Sequence, residues 1–233
     1  MSKLWTDYDI GSDLIFADFL TSVQLELNNL LIQVEIDDWM QRQESHDISN
    51  KGGWQSSSVL HKGINIPEEQ RDAFIKACPN ILNMYDKVVS FAQYHILTRF
   101  GMQEEEGSDN WKGPIINPKK TVWWTNVNRN YDWNTLHHHA RADVVGVYYP
   151  KCDKDSSYLT LMRNDGSCYA HLYTDLWDEE GKNASLHHST IRITPEQGRL
   201  YLFPGHIWHY VEKRDRIVDN TRRMSFSFNF YID

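Results

Sequence analysis

Two histidines one residue apart can share a metal ion, and Leu136-His137-His138-His139 supplies that spacing just before the alternating stretch Val144 to Tyr149. On an extended backbone His137 and His139 point to one face and His138 to the other, so two imidazoles can converge on one ion. The competing reading is a polar strand end with surface histidines. A further histidine, His209, lies on Ile207-Trp208-His209-Tyr210-Val211 after the tight corner Pro204-Gly205; alone it reads as a satisfied sheet residue. Beyond it, Arg223-Met224-Ser225-Phe226-Ser227-Phe228-Asn229 alternates so that Arg223, Ser225 and Ser227 share one face. If Ile207 to Val211 and Arg223 to Tyr231 form a hairpin around Arg214 to Asn220, His209 and Arg223 lie close, on strands about 4.8 Å apart. An arginine buried beside a metal cluster needs an anion, and its planar fork fits a carboxylate best.

These residues need strands to carry them, and the second half of the chain provides the pattern. Alternation predicts strands over Thr121 to Asn128, Val144 to Tyr149, Tyr158 to Met162, Cys168 to Tyr173, Ser185 to Ile193, Arg199 to Phe203, Ile207 to Val211 and Arg223 to Tyr231. Turn formers such as Asn164-Asp165-Gly166, Pro195 to Gly198, Pro204-Gly205 and Asp219-Asn220 separate them. The first half reads differently. Leu25, Leu27, Leu30, Leu31, Val34 and Ile36 suggest a helix from Leu25 to about Arg42, followed by a Gly- and Ser-rich loop over Glu44 to Gly63 in which Trp54 is out of place. Pro67 with Glu68 and Glu69 opens a further helix whose apolar stripe runs from Phe74 to Phe100, kinked or divided at Pro79. Gly101 closes it, and Gln103 to Gly113 is a solvated connection. The expected architecture is mainly β, a jelly roll or small barrel with N-terminal helices packed on one sheet. We expect a single domain over 1–233, with 1–113 the helical and loop part and 114–233 the jelly-roll core.

Composition narrows the function. Of 233 residues, 40% are apolar and 24% charged, enough for one substantial core. Charge-free stretches such as Val88 to Thr98 fall short of the roughly 20 apolar residues that cross a bilayer. The start carries acids where a signal peptide needs an apolar run, and Cys78, Cys152 and Cys168 lack any paired spacing, so a cytoplasmic protein with reduced thiols is expected. The net charge of −8 repels a phosphate backbone and disfavours nucleic acid as partner.

Gly53-Trp54-Gln55-Ser56, Trp124-Thr125-Asn126, His137-x-His139, Gly146-Val147-Tyr148-Tyr149, Leu202-Phe203-Pro204 with His209, and Arg223-x-Ser225-x-Ser227-Phe228-Asn229 resemble, in order, the iron(II)- and 2-oxoglutarate-dependent oxygenases, within them a branch of marine bacteria and their phages. The resemblance implies a double-stranded β-helix in which His137, His139 and His209 ligate iron(II). It also implies that Arg223 and Ser225 hold the distal carboxylate of 2-oxoglutarate, with Tyr149 adding a hydroxyl and Asn126 a further cofactor contact. The implied reaction uses O2 to convert 2-oxoglutarate to succinate and CO2 while hydroxylating a C–H bond. The family usually has His-x-Asp or His-x-Glu, and here His139 stands in place of the acid. Asp143, the nearest acid of the same parity, would sit roughly 13 Å beyond His139 on an extended strand, too far to substitute. Two alternatives stay open, a three-histidine site or a second ligand elsewhere.

Trp54, Trp123, Trp124, Trp133 and Trp208 are candidates to line the cleft. The rivals are a three-histidine cupin-type dioxygenase without 2-oxoglutarate and a non-catalytic jelly-roll binding or structural module. Arg223 with Ser225 argues against the first. The substrate, small molecule or peptide, is beyond the sequence.

Overall fold

The computed structural model describes residues 5–7, 20–46, 48–99, 115–129, 131–153, 155–162, 190–213 and 222–233. The expected strand Cys168 to Tyr173, the first part of Ser185 to Ile193, the turn at Asn164, the connection Gln103 to Gly113 and the loop Arg214 to Asn220 lie outside these residues. In chain order the strands are β1 (Trp5–Asp7), β2 (Thr21–Gln24), β3 (Asn50–Lys51), β4 (Trp54–Gln55), β5 (Val59–Leu60), β6 (Val122–Asn128), β7 (Trp133–His137), β8 (Val144–Lys151), β9 (Leu159–Met162), β10 (Thr190–Ile193), β11 (Arg199–Pro204), β12 (Trp208–Val211) and β13 (Arg223–Phe230). The helices are α1 (Asn29–Arg42), α2 (Glu68–Ala77) and α3 (Pro79–Arg99).

Two antiparallel sheets face each other. The larger runs β1-β2-β11-β8-β13-β6-β4, with β5 also on β6, and the smaller runs β10-β9-β12-β7-β3. Alternation divides the large sheet's strands cleanly. On β13, Met224, Phe226, Phe228 and Phe230 join the helices in one apolar core, together with Tyr148 of β8 and Leu200 and Leu202 of β11. The opposite face of β8 and β11 contributes Val145, Val147, Tyr149, Tyr201 and Phe203 to a second core between the sheets. β13's own inward face is polar, Arg223, Ser225, Ser227 and Asn229, so one part of the interior is oily and the other is not.

The helices back the large sheet as expected, and Pro79 divides the apolar stripe into α2 and α3. Three expectations are corrected. α1 begins at Asn29, because the Asn28 side chain caps it by accepting from Leu31 N at 3.3 Å, while residues 21–24 form β2. Its buried face is Ile32, Glu35, Ile36 and Trp39, not Leu30, Leu31 and Val34, which are exposed. Glu35 is inside because its carboxylate accepts from Asn80 N at 3.0 Å and Ile81 N at 2.8 Å, occupying the free donors at the start of α3. The stretch read as a loop, Glu44 to Gly63, holds β3, β4 and β5, each two residues long and paired to β6 or β7. Trp54 is buried there, edge-on to Trp39.

The expected hairpin does not form. β12 pairs with β7 and β9 in the small sheet, whereas β13 pairs with β6 and β8 in the large one. His209 and Arg223 therefore belong to opposite walls of the interior.

Candidate active site

Strand β7 is absent from the strands expected on alternation, and it decides the position of His137. β7 and β12 place His137 and His209 directly opposite in register. His139 follows the strand on a short connection to β8, fixed by His139 N donating to Gly205 O at 2.9 Å and Gly205 N donating to Asp143 O at 3.1 Å. A Cβ at Gly205 would lie 1.9 Å from Ala142 O, so only glycine permits that close approach. Ring centroids are 4.4 Å apart for His137 and His209, 5.1 Å for His137 and His139, and 5.1 Å for His139 and His209. The ligating atoms of all three lie within 4.8 Å of one another. His138 points away, as parity requires, and its ring lies 4.3 Å from that of Trp208.

Each ring is oriented through Nδ1. His137 Nδ1–H donates to Thr135 O at 2.6 Å, His209 Nδ1–H to Ile207 O at 2.9 Å, and His139 Nδ1–H to Asn229 Oδ1 at 2.5 Å. Each acceptor fixes the tautomer, leaving Nε2 with its lone pair, the form that binds metal. Burial reinforces this. It lowers the pKa of His137, pushes His139 down to about 4 with help from neighbouring His137, and holds His209 well below the usual imidazole value. His139 Nε2 is buried without any hydrogen-bond partner. Three neutral imidazoles, one with an orphaned buried lone pair, fit a divalent transition metal. No carboxylate belongs to this group among the described residues, and Asp143 is engaged elsewhere, its Oδ2 accepting from Ile232 N at 2.8 Å.

Across the interior, Arg223 is 5% exposed. Its Nη2 donates to Tyr149 OH at 3.0 Å and its Nη1 to Asn128 Oδ1 at 3.3 Å, while the guanidinium carbon sits 5.0 Å from the Tyr149 ring centroid. Nε has no partner, and among the described residues Arg223 meets no carboxylate. A buried cation with only neutral partners is an anion site in waiting. Burial raises the Tyr149 pKa, with Arg223 pulling the other way, so its hydroxyl is a proton donor. Ser225 and Asn126 are register partners on β13 and β6, both buried. Asn126 lies on the inward face between Trp124, which stacks on His139 at 5.5 Å and 9°, and Asn128 beside Arg223. Its Nδ2 reaches Ser227 Oγ at 3.4 Å, not the guanidinium.

The roles of Asn229 and of the carbonyls of Thr135 and Ile207 escaped the sequence reading. Asn229 had a usable signal, since it continues the parity of Arg223, Ser225 and Ser227; backbone carbonyls leave none. Of the five tryptophans considered for the cleft, Trp124 lines the cavity beside the histidines, Trp123 and Trp54 are core, Trp208 abuts His138, and Trp133 is partly exposed on β7.

Two facing antiparallel sheets that hold three clustered imidazoles and, among the described residues, an arginine without an acid are a double-stranded β-helix with a candidate metal site. Residues 122–229 match the family described as "Putative 2OG-Fe(II) oxygenase", and over this part the chain is similar to the 2OG-Fe(II) oxygenases. The protein is thus an oxygenase whose cofactors are Fe(II), 2-oxoglutarate and O2. Similar solved structures include a full-length Neurospora crassa protein in complex with alpha-KG, with a TM-score of 0.53, 6% identity and coverage of 91% of this chain and 73% of that one. AviO1 from Streptomyces viridochromogenes gives a TM-score of 0.52 at 9% identity over 91% and 89%. A Pseudomonas putida prolyl-4-hydroxylase gives 0.50 at 14% identity over 92% and 93%. At such identities the likeness concerns the fold alone. No curated protein sequence matches this chain.

Proposed function

We propose that the chain is a hydroxylase in which His137, His139 and His209 hold Fe(II) through Nε2 and Arg223 anchors 2-oxoglutarate. When bound, the iron and cosubstrate supply the oxidising chemistry, decarboxylation of 2-oxoglutarate to succinate and CO2 coupled to hydroxylation of a C–H bond. The chain's own residues do the rest. Thr135 O, Ile207 O and Asn229 Oδ1 keep the three imidazoles neutral and aimed at one point. Arg223 offers a fork to the distal carboxylate, Tyr149 OH and Ser225 add hydroxyls, and Asn126 flanks the path between that clamp and the histidines. The apolar wall of Val147, Phe203 and Ile207 excludes water from one side.

The observation that supports this reading best is the buried guanidinium of Arg223, without an acid among the described residues, on the wall opposite the histidines. A cupin-type dioxygenase that uses no 2-oxoglutarate has no need of it. No described helix is long and apolar enough to cross a membrane, and the net charge of −8 works against a nucleic acid. We take the substrate to be a small molecule or peptide, and the free thiols Cys78 and Cys152 suit a reducing cytoplasm. The test is anaerobic titration with Fe(II) and then 2-oxoglutarate, followed by succinate measurement in air. A visible charge-transfer band on adding 2-oxoglutarate is expected. Stoichiometric iron without any 2-oxoglutarate binding would return the cupin-type reading, and no iron binding the non-catalytic one.

A further inference from the structure

Gly53-Trp54-Gln55-Ser56 has no part in the scheme above. β4 sits at the edge of the large sheet, with Trp54 turned into the aromatic cluster around Trp39 and Gln55 paired in register with inward-facing Asn126. Gln55 is 2% exposed, and its Oε1 has no hydrogen-bond partner. The bonds that hold β4 here do not use this side chain: Gln55 N donates to Ser45 Oγ at 3.0 Å, and Gln55 O accepts from His46 N at 2.8 Å. Gln55 lines a cavity of about 510 Å³ that also reaches Trp124, His137 and His139. Next to it, Asn126 Oδ1 is a second buried acceptor without a partner.

Native folds pair their buried carbonyl oxygens, and an unpaired one on a residue that lines a cavity marks a place where a ligand can complete the bond. We infer that Gln55 is a specificity-determining residue that reads an N–H donor on a neutral substrate of the amide or lactam class. This rests on the proposed function for the identity of the neighbouring reacting centre. Three features select the class. An acceptor oxygen without a partner favours an N–H group over a carboxylate. No Asp or Glu lines the cavity among the described residues, so nothing neutralises a cationic group, and Arg141 at its wall disfavours one further. A purely apolar substrate would leave Gln55 Oε1 unpaired on binding.

The probe pair is 2-pyrrolidone and N-methyl-2-pyrrolidone, which share a carbonyl and ring but differ in the N–H. Both are titrated into the full chain and followed by NMR on the Trp124 indole. The native chain should bind 2-pyrrolidone about five- to tenfold more tightly, the value of one hydrogen bond to a buried acceptor. Gln55→Met keeps the volume and removes the acceptor; it should bind the two lactams equally and melt at the same or a higher temperature than the native chain. Gln55→Glu should acquire binding of butylammonium that the native chain lacks. Equal lactam affinities in the native chain, no binding of either, or discrimination that survives in Gln55→Met overturns the inference. Fe(II) and 2-oxoglutarate titrations on the same samples separate the two readings: they should be unchanged in Gln55→Met, and their failure in the native chain counts against the proposed function alone.

Discussion

Replacing Arg223 separates a cosubstrate clamp from a structural arginine, because the two roles move stability in opposite directions. The guanidinium is 5% exposed and, among the described residues, bonds only to Asn128 Oδ1 and Tyr149 OH, with Nε unpartnered. Without 2-oxoglutarate this is a buried charge lacking a counter-ion among the described residues, so the cosubstrate-free fold carries a desolvation penalty that Arg223→Leu should relieve. With 2-oxoglutarate bound as proposed, the same arginine would be half of a buried ion pair. Removing one member of such a pair costs about 3–5 kcal/mol, which at about 1.4 kcal/mol per decade is two to four orders of magnitude in affinity. Arg223→Lys keeps the charge and loses the planar fork, so a smaller loss of one to two decades is expected. Tyr149→Phe removes one hydroxyl and should weaken binding about fivefold. The assay is anaerobic calorimetric titration of 2-oxoglutarate into Fe(II)-loaded protein, paired with thermal melts of the cosubstrate-free chain. Affinity should collapse while the melting temperature of Arg223→Leu holds or rises. An affinity within threefold of native, or a fold that collapses without its arginine, would refute the clamp.

Three further outcomes follow from the geometry. Asn229→Ala strips the acceptor from His139 Nδ1–H and should weaken Fe(II) binding about ten- to hundredfold by chelator competition, whereas Asn229→Asp should strengthen it; native-like affinity in Asn229→Ala would show that His139 needs no orienting partner. Gly205→Ala drives a methyl to 1.9 Å from Ala142 O and 2.9 Å from His139 O, so it should destabilise the fold by at least about 2 kcal/mol in urea and displace His139, measured as lost iron affinity; a neutral substitution refutes the close approach. Because burial holds the folded pKa of His139 at about 4, below the ordinary 6.5, the unfolded chain takes up its proton first as pH falls. The stability from this neutral ring is full above 6.5 and lost between 6.5 and about 4, so the metal-free melting temperature should drop over that range, and less so in His139→Leu; identical slopes refute it.

The sheets were legible where alternation is strict. On β8, β11 and β13 every second residue goes to the helix-backed core, and that pattern is local. The convergence of His137 with His139 was legible for the same reason. Strand partners were not, because pairing is set by which faces meet across the whole chain. The hairpin drawn from β12 to β13 fails for this reason, yet His209 and Arg223 still face one interior, since each lies on its strand's inward side. β3, β4 and β5 were invisible because two residues carry no periodicity, and only β6 and β7 define them. α1 misled in the opposite sense: Leu30, Leu31 and Val34 look like core and are exposed, while Glu35 looks like surface and is buried as the cap of α3.

The charge balance links the missing carboxylate to the rest of the interior. In the proposed site a divalent ion and the Arg223 guanidinium would be opposed by one 2-oxoglutarate dianion, leaving a net positive charge that the common acid ligand would have cancelled. Among the described residues no acid stands in the histidine group. Neutral oxygens take its place as dipoles: Asn229 Oδ1, Thr135 O and Ile207 O reach the histidine group through the Nδ1–H bonds. Dipoles polarise a site without the desolvation cost of another buried charge. The same arrangement explains why Asn229→Asp should raise iron affinity: it returns through the second ring nitrogen of His139 the negative charge that the chain omits from the ligand set.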